Sequence, residues 1–296
     1  MQDLILRFQD YLKTEKKSSK NTLESYMRDI GQFFTYCSAN NIKSAESIKS
    51  ETIMNYLKFV HSLGKSDSTI ARVTASLRSF FTYLLNIGEV LENPVKTVKF
   101  TAATQKKLPE ILTNKEVLTL LSQPDCSNYK GCRDKAMLEL LYATGIKVSE
   151  IIDLKVTDIN LQIGILHLHT ESSQRIIPIY PDAVKTIANY LTGVRGVIVA
   201  DSGEDKLFTN MSGQPLTRQG FWKIIKQYAE AAKINKDITP HTLRHSFAAH
   251  LLENGAELQD IKEMLGHSDI STTQVYAQLM KNKYAQSYRR FHPMAK

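Results

Sequence analysis

The stretch His241-Thr-Leu-Arg244-His245-Ser-Phe-Ala-Ala-His250-Leu-Leu-Glu-Asn-Gly255, with Leu265-Gly266-His267 and Tyr276 after it, decides how this chain is read. Phe247, Ala248, Leu251 and Leu252 recur at helical spacing, and Asn254-Gly255 suits a helix stop because glycine takes positive φ without strain. His241 and Arg244 lie three apart, so both side chains leave one face of the predicted helix. Leu258, Ile261, Met264 and Leu265 mark a second short helix before Gly266-His267. Ser271-Thr272-Thr273 offers capping groups for a third, which carries Tyr276. The stretch therefore gathers imidazoles, a guanidinium and a phenol, with no cysteine or carboxylate set suited to a metal. A zinc reading of His241, His245 and His250 fails because position 242 is Thr, where HExxH needs Glu.

Those groups suit one chemistry. A phenol can attack a phosphodiester and leave a phosphotyrosine. A guanidinium fork can hold two non-bridging phosphate oxygens, and histidines can move protons near neutral pH.

Outward from this stretch, the 296 residues allow two domains and a sizeable core. The 42% hydrophobic content fits a globular protein, and no apolar run reaches membrane-spanning length. Met1-Gln-Asp-Leu lacks a secretory pattern, and Cys37, Cys126 and Cys132 show no ligand spacing, so reduced thiols and a cytoplasmic location are expected. A net charge of +8 favours a polyanionic partner, nucleic acid above all.

Residues 1–96 read as a helical unit, with apolar periods through Leu4–Leu12, Ile30–Cys37, Ile53–Val60 and Ile70–Leu84. Lys16, Lys17, Lys20, Arg28, Arg72 and Arg78 are its candidate phosphate contacts. Residues 97–110 are polar, basic and without period, and read as a linker. Thr113-Asn-Lys-Glu116 is a capping box opening a second unit over 111–296. Within it, Ile165–His169 and Arg175–Ile179 alternate as two strands around a turn at Thr170–Gln174. Thr217 caps a helix whose first residues, Arg218 and Gln219, are placed to enter a major groove.

His241-x-x-Arg244, Leu265-Gly266-His267 and Tyr276 together resemble the signature of the tyrosine recombinases, the phage integrase family. The fuller runs His241–Ala248, Leu251–Ala256 and Met264–Thr273 resemble its Xer branch. The resemblance covers nearly the whole chain. It implies a mainly α fold with a small β-sheet: a helical core-binding domain that clamps DNA, and a mixed α/β catalytic domain whose C-terminal tail docks on a neighbouring protomer. It implies cutting and rejoining of double-stranded DNA at a specific site, serving chromosome dimer resolution or mobile-element integration and excision. Tyr276 would form a 3′-phosphotyrosine. Arg244 and Lys147 would hold the phosphate, His241 would handle the tyrosine proton, and His267 would hydrogen-bond the phosphate. Glu150 would orient its neighbours. No metal or cofactor is implied, because the phosphotyrosine keeps the bond energy needed for rejoining. Strand exchange implies a homo-tetramer, or a hetero-tetramer with a second recombinase, on DNA.

Two positions depart from the family pattern. Gly145-Ile-Lys147-Val-Ser-Glu150 carries Lys where the first catalytic arginine is expected. That loses the fork, which could cost about 2–4 kcal/mol of transition-state stabilisation. The hairpin turn carries Glu171 where relatives have a lysine acid, and no Lys occurs between Lys155 and Lys185. Losing a general acid slows a reaction by roughly 10²–10⁴. Arg175, the cation near the turn, matches a different family position and is a DNA-contact candidate. Two alternatives stay open: a DNA-binding paralogue with impaired cleavage acting as partner or regulator, and a type IB topoisomerase-like relaxing enzyme.

Overall fold

The computed structural model describes residues 2–98, 109–170, 173–200, 202–267, 269–270 and 272–277. It is mainly helical with one small sheet, and divides into two compact units, Met1–Lys107 and Leu108–Lys296. Most of the 97–110 stretch, Glu171 and the tail after residue 277 lie outside the described residues.

The first unit contains α1 (Gln2–Thr14), α2 (Lys20–Ala39), α3 (Ser50–Ser62) and α4 (Asp67–Asn86). Ser19 starts α2 by accepting from the Thr22 N–H, and Ser66 does the same for Thr69 in α4. The apolar stripes meet in an aromatic core of Phe8, Phe33, Phe34, Phe80 and Phe81, with Phe8 packed edge-on against Phe80 at 5.2 Å. Asp29 is buried there and accepts from Ser76 Oγ at 2.7 Å and Arg72 Nη1 at 2.5 Å. Arg72, a candidate phosphate contact, is also the counter-ion of Asp29, because a buried carboxylate must be paired, and its side chain is 37% exposed. Lys16, Lys17, Lys20, Arg28 and Arg78 are exposed.

The second unit opens with α5 (Asn114–Leu121), whose capping box joins Thr113 and Glu116 as the sequence indicates. Next come α6 (Tyr129–Thr144), α7 (Val148–Asp153) and a sheet of β1 (Ile159–Asn160), β2 (Ile165–Thr170) and β3 (Ser173–Pro178), antiparallel in the order β1-β2-β3. Pairing continues to Thr170 opposite Ser173, so the strands extend into the turn expected at Thr170–Gln174. Polar residues at 173 and 174 concealed the strand, since the apolar alternation starts only at Ile176. Then follow α8 (Pro181–Tyr190), α9 (Gly196–Val199), α10 (Arg218–Ala231), α11 (Pro240–Glu253) and α12 (Leu258–Leu265), with residues 272–277 helical again.

α6 is buried on nearly every side and forms the centre of this unit. It ends at Gly145 in the left-handed region (φ 59°), where a Cβ would meet the Phe247 ring at 2.3 Å. Glycine is therefore required both for the backbone turn and for the approach of α11. His250 ties the same layers together, with Tyr142 Oη at 2.9 Å from Nδ1 and the Leu112 carbonyl at 2.8 Å from Nε2. Among the described residues no helix is long and apolar enough to cross a membrane.

Candidate active site

α11 begins with Thr239 as cap and Pro240 in its first turn, which fixes the direction in which His241, Arg244 and His245 project. Arg244 is only 4% exposed. Its Nη1 donates to the Gly145 carbonyl at 2.6 Å and its Nη2 to the Leu265 carbonyl at 2.7 Å. The guanidinium thus pins the end of α6 to the end of α12. Burial lowers its pKa from the usual arginine value, while Glu150 and Tyr276 act in the opposite sense.

α12 ends at Gly266, again left-handed (φ 62°), where a Cβ would meet Arg175 Nη1 at 2.7 Å. That space admits Arg175, whose Nε donates to the Met264 carbonyl at 2.9 Å and whose Nη2 donates to Glu150 at 2.8 Å. Glu150 also accepts from the Lys147 backbone N–H at 2.7 Å, capping α7. Arg175 is therefore a nearly buried structural ion-pair partner, a different employment from the DNA contact expected of it. Glu150 orients both the hairpin and the Lys147 backbone. Lys147 is exposed at the N-terminus of α7. Arg218 and Gln219 are exposed in the first turn of α10, capped by Thr217.

His267 follows Gly266, with Nδ1 3.0 Å from the hydroxyl of buried Thr273. Burial pushes its pKa down to about 4, helped by the charges of Arg244 and Lys147. His241 is also lowered, by burial of part of its ring, then by Arg244 and Lys147. Both imidazoles are held neutral by burial and by the charges of Arg244 and Lys147.

Tyr276 is 1% exposed, and its hydroxyl lies 2.8 Å from His245 Nδ1. Burial raises the phenol pKa, partly offset by Arg244. The imidazole on the phenol is thus His245, not His241, which stands one turn back along α11 with ring centroids 6.3 Å apart. Sequence reasoning quoted His245 without assigning it a role. The signal was its i+4 spacing from His241, which puts both rings on one helix face. Burial pushes the His245 pKa down to about 4, followed by the influence of His241 and Arg244.

A cavity of about 800 Å³ opens beside these groups, lined by residues that include Gln174, Arg175, Lys262, Gly266 and His267. No cluster of three or more metal-ligating side chains occurs among the described residues.

A helical unit followed by a mixed unit that brings together a phenol, a buried guanidinium and neutral imidazoles defines a phosphotyrosine-forming class of enzyme. Residues 110–283 match the phage integrase family and residues 5–88 the phage integrase N-terminal SAM-like domain. The chain is 45% identical over 291 residues to a tyrosine recombinase XerD of Halalkalibacterium halodurans, covering 98% of this chain and 97% of that one. It is 41% identical over 296 residues to XerD of Staphylococcus epidermidis, covering 100% of both. In fold it is similar to a XerH site-specific recombinase bound to a palindromic difH substrate, with TM-score 0.77 and 21% identity over 95% of this chain and 82% of that one. The XerA recombinase is similar at TM-score 0.54 and 25% identity, covering 98% and 99%. The chain belongs to the phage integrase family. It is a tyrosine site-specific recombinase.

Proposed function

We propose that the protein acts on double-stranded DNA by attack of Tyr276 on a phosphodiester, forming a 3′-phosphotyrosine and releasing a 5′ hydroxyl. Arg244 and Lys147 hold the non-bridging oxygens, His241 handles the tyrosine proton, and His267 hydrogen-bonds the phosphate. Glu150 acts through Lys147 and Arg175 as a positioning residue. Residues 1–96 serve as a DNA-clamping domain joined by the 97–110 linker to the catalytic domain, with Lys16, Lys17, Lys20, Arg28 and Arg78 on phosphates. Arg218 and Gln219, at the start of α10, reach into the groove. Four protomers exchange strands between two duplexes, each docking its C-terminal tail on a neighbour, in the cytoplasm. Full-length likeness to XerD proteins favours chromosome dimer resolution over mobile-element integration.

The observation that carries this reading is the buried phenol of Tyr276, bonded to an imidazole of α11 and in the electrostatic reach of Arg244. A duplex nicked near the recombination site tests it by trapping the covalent adduct. Wild-type protein is expected to form the adduct, and Tyr276→Phe to bind the same duplex with none. Tight binding by the wild type with no Tyr276-dependent adduct would instead identify a binding paralogue.

A further inference from the structure

We infer that Lys147 donates the proton to the leaving 5′ oxygen, so that the general acid of this chain stands at the start of α7. This rests on the assignment of Tyr276 as nucleophile. A 5′ oxygen departs poorly as an alkoxide, and a proton donor placed on it is worth roughly 10²–10⁴ in rate. Among the described cationic and titratable groups of the site, the others are unsuited. Arginine does not release its proton in proteins, which removes Arg244 and Arg175. Both are also committed to carbonyls, and Arg175 to Glu150 as well. His245 and His267, with pKa values pushed down to about 4, are unprotonated near neutral pH, and His241 is shifted the same way. A lysine ammonium can give up its proton and offers three N–H donors. One can rest on a non-bridging oxygen while another meets the leaving oxygen.

The backbone places Lys147 for this duty. Two residues before it, the Gly145 carbonyl accepts from Arg244 at 2.6 Å. Its own N–H donates at 2.7 Å to Glu150 Oε2, the oxygen that also accepts from Arg175 at 2.8 Å. Lys147 thus leaves the chain between the anchor points of two largely buried guanidiniums, and its side chain, unlike theirs, is exposed. Its charge reaches His241 and His267, the imidazoles assigned to the phenolic proton and to the phosphate. The sequence agrees. Position 147 holds an ammonium where a guanidinium would grip phosphate better, and no Lys occurs between Lys155 and Lys185 to serve from the hairpin. The two departures from the family pattern are then one exchange, a fork given up for a proton donor.

In the step, the bond from Tyr276 Oη to phosphorus forms and the bond from phosphorus to the 5′ oxygen breaks. The phenolic proton passes to His241. The 5′ oxygen takes a proton from the Lys147 ammonium, which is left as a neutral amine. In rejoining, the amine recovers that proton from the attacking 5′ hydroxyl, and His241 returns one to the departing phenolate.

Single-turnover adduct formation on two nicked duplexes, at saturating protein, tests the assignment. One duplex carries the natural 5′ oxygen at the scissile phosphate and the other carries sulfur in its place. A thiolate leaves without help from an acid, because thiols are far stronger acids than alcohols. We expect Lys147→Ala to form adduct about 10²-fold more slowly than the parent on the oxygen duplex, and within about threefold of it on the sulfur duplex. We expect Lys147→Arg to follow the same pattern, since it keeps the charge and gains a fork but has no proton to give. Arg244→Ala, which loses a phosphate clamp, should stay slow on both. A Lys147→Ala variant slowed equally on the two duplexes, or a Lys147→Arg variant as fast as the parent on the oxygen duplex, overturns the acid role. Absence of a Tyr276-dependent adduct from the parent on the sulfur duplex, where no acid is needed, would instead overturn the nucleophile assignment beneath it.

Discussion

The two halves of the active site are built to different standards. The half on α11, α12 and residues 272–277 is anchored in the backbone. Arg244 spans two carbonyls, Thr273 holds His267, and His245 holds Tyr276. The half on α7 and the β2–β3 hairpin is anchored at its base, where Glu150 joins Arg175 to the Lys147 N–H and Arg175 donates to the Met264 carbonyl. Above that base, the Lys147 side chain is exposed, and among the described residues no hydrogen bond or ion pair fixes its ammonium. The first half matches the family signature residue for residue; both departures fall in the second. A side chain that also holds the fold together cannot change without loss of stability, whereas a rim side chain can.

The largest effect on cleavage expected from this contrast is at Arg244. Arg244→Ala should reduce adduct formation by about 10³-fold or more, the scale for removing a preorganised donor. It should also destabilise the protein by about 2–4 kcal/mol, because two buried carbonyls lose their donors. Lys147→Ala, by comparison, should leave the melting temperature within error. Adduct kinetics and thermal unfolding of both variants check this. Equal stability losses at the two positions would erase the distinction between anchored and rim cations.

Glu150→Gln should have an intermediate effect on cleavage. The amide oxygen can still accept from the Lys147 N–H, but Arg175 becomes a nearly buried charge without a counter-ion. Breaking such a pair from one side costs about 3–5 kcal/mol. Replacing Arg175 by Met in the same chain should recover much of that loss, since an apolar pair of similar size has no charge to desolvate. Cleavage by Glu150→Gln should fall by about tenfold as Lys147 and the hairpin lose their common anchor, misplacement alone being enough to slow a reaction that much. Full stability in the single variant would show that solvent reaches Arg175.

How much of this was legible in the sequence follows from the range of the interactions. The helices of the first unit were visible because their apolar residues keep a local period, and α5 because its capping box spans four residues. Arg244, His267 and Tyr276 were visible as a spaced set. The Arg175–Glu150 pair was not: the partners lie 25 positions apart, and the Met264 carbonyl is 89 from Arg175. The same holds for Asp29, whose partners Arg72 and Ser76 are 43 and 47 positions away. Gly145 and Gly266 read as helix stops, but their second duty, making room for Phe247 and Arg175, needs the tertiary fold. The ends of the hairpin strands were not legible because polar residues there carry no alternation.

The smallest effect expected is a gain. Lys147→Arg restores a planar fork at the start of α7, where the exposed side chain meets no packing barrier to the larger group. Glu171→Lys removes a negative charge from the hairpin turn and supplies an acid for the leaving 5′ oxygen. The fork is worth about 2–4 kcal/mol and the acid a factor of about 10². Misalignment by a fraction of an ångström forfeits much of such a gain. About a tenfold faster adduct formation by the double variant is therefore expected, with no stability change from Lys147→Arg because the exposed Lys147 side chain anchors nothing among the described residues. A parental rate would mean that the rim half of the site draws its proton and its second cation from other groups, and that Lys147 and Glu171 do not occupy the positions assigned to them.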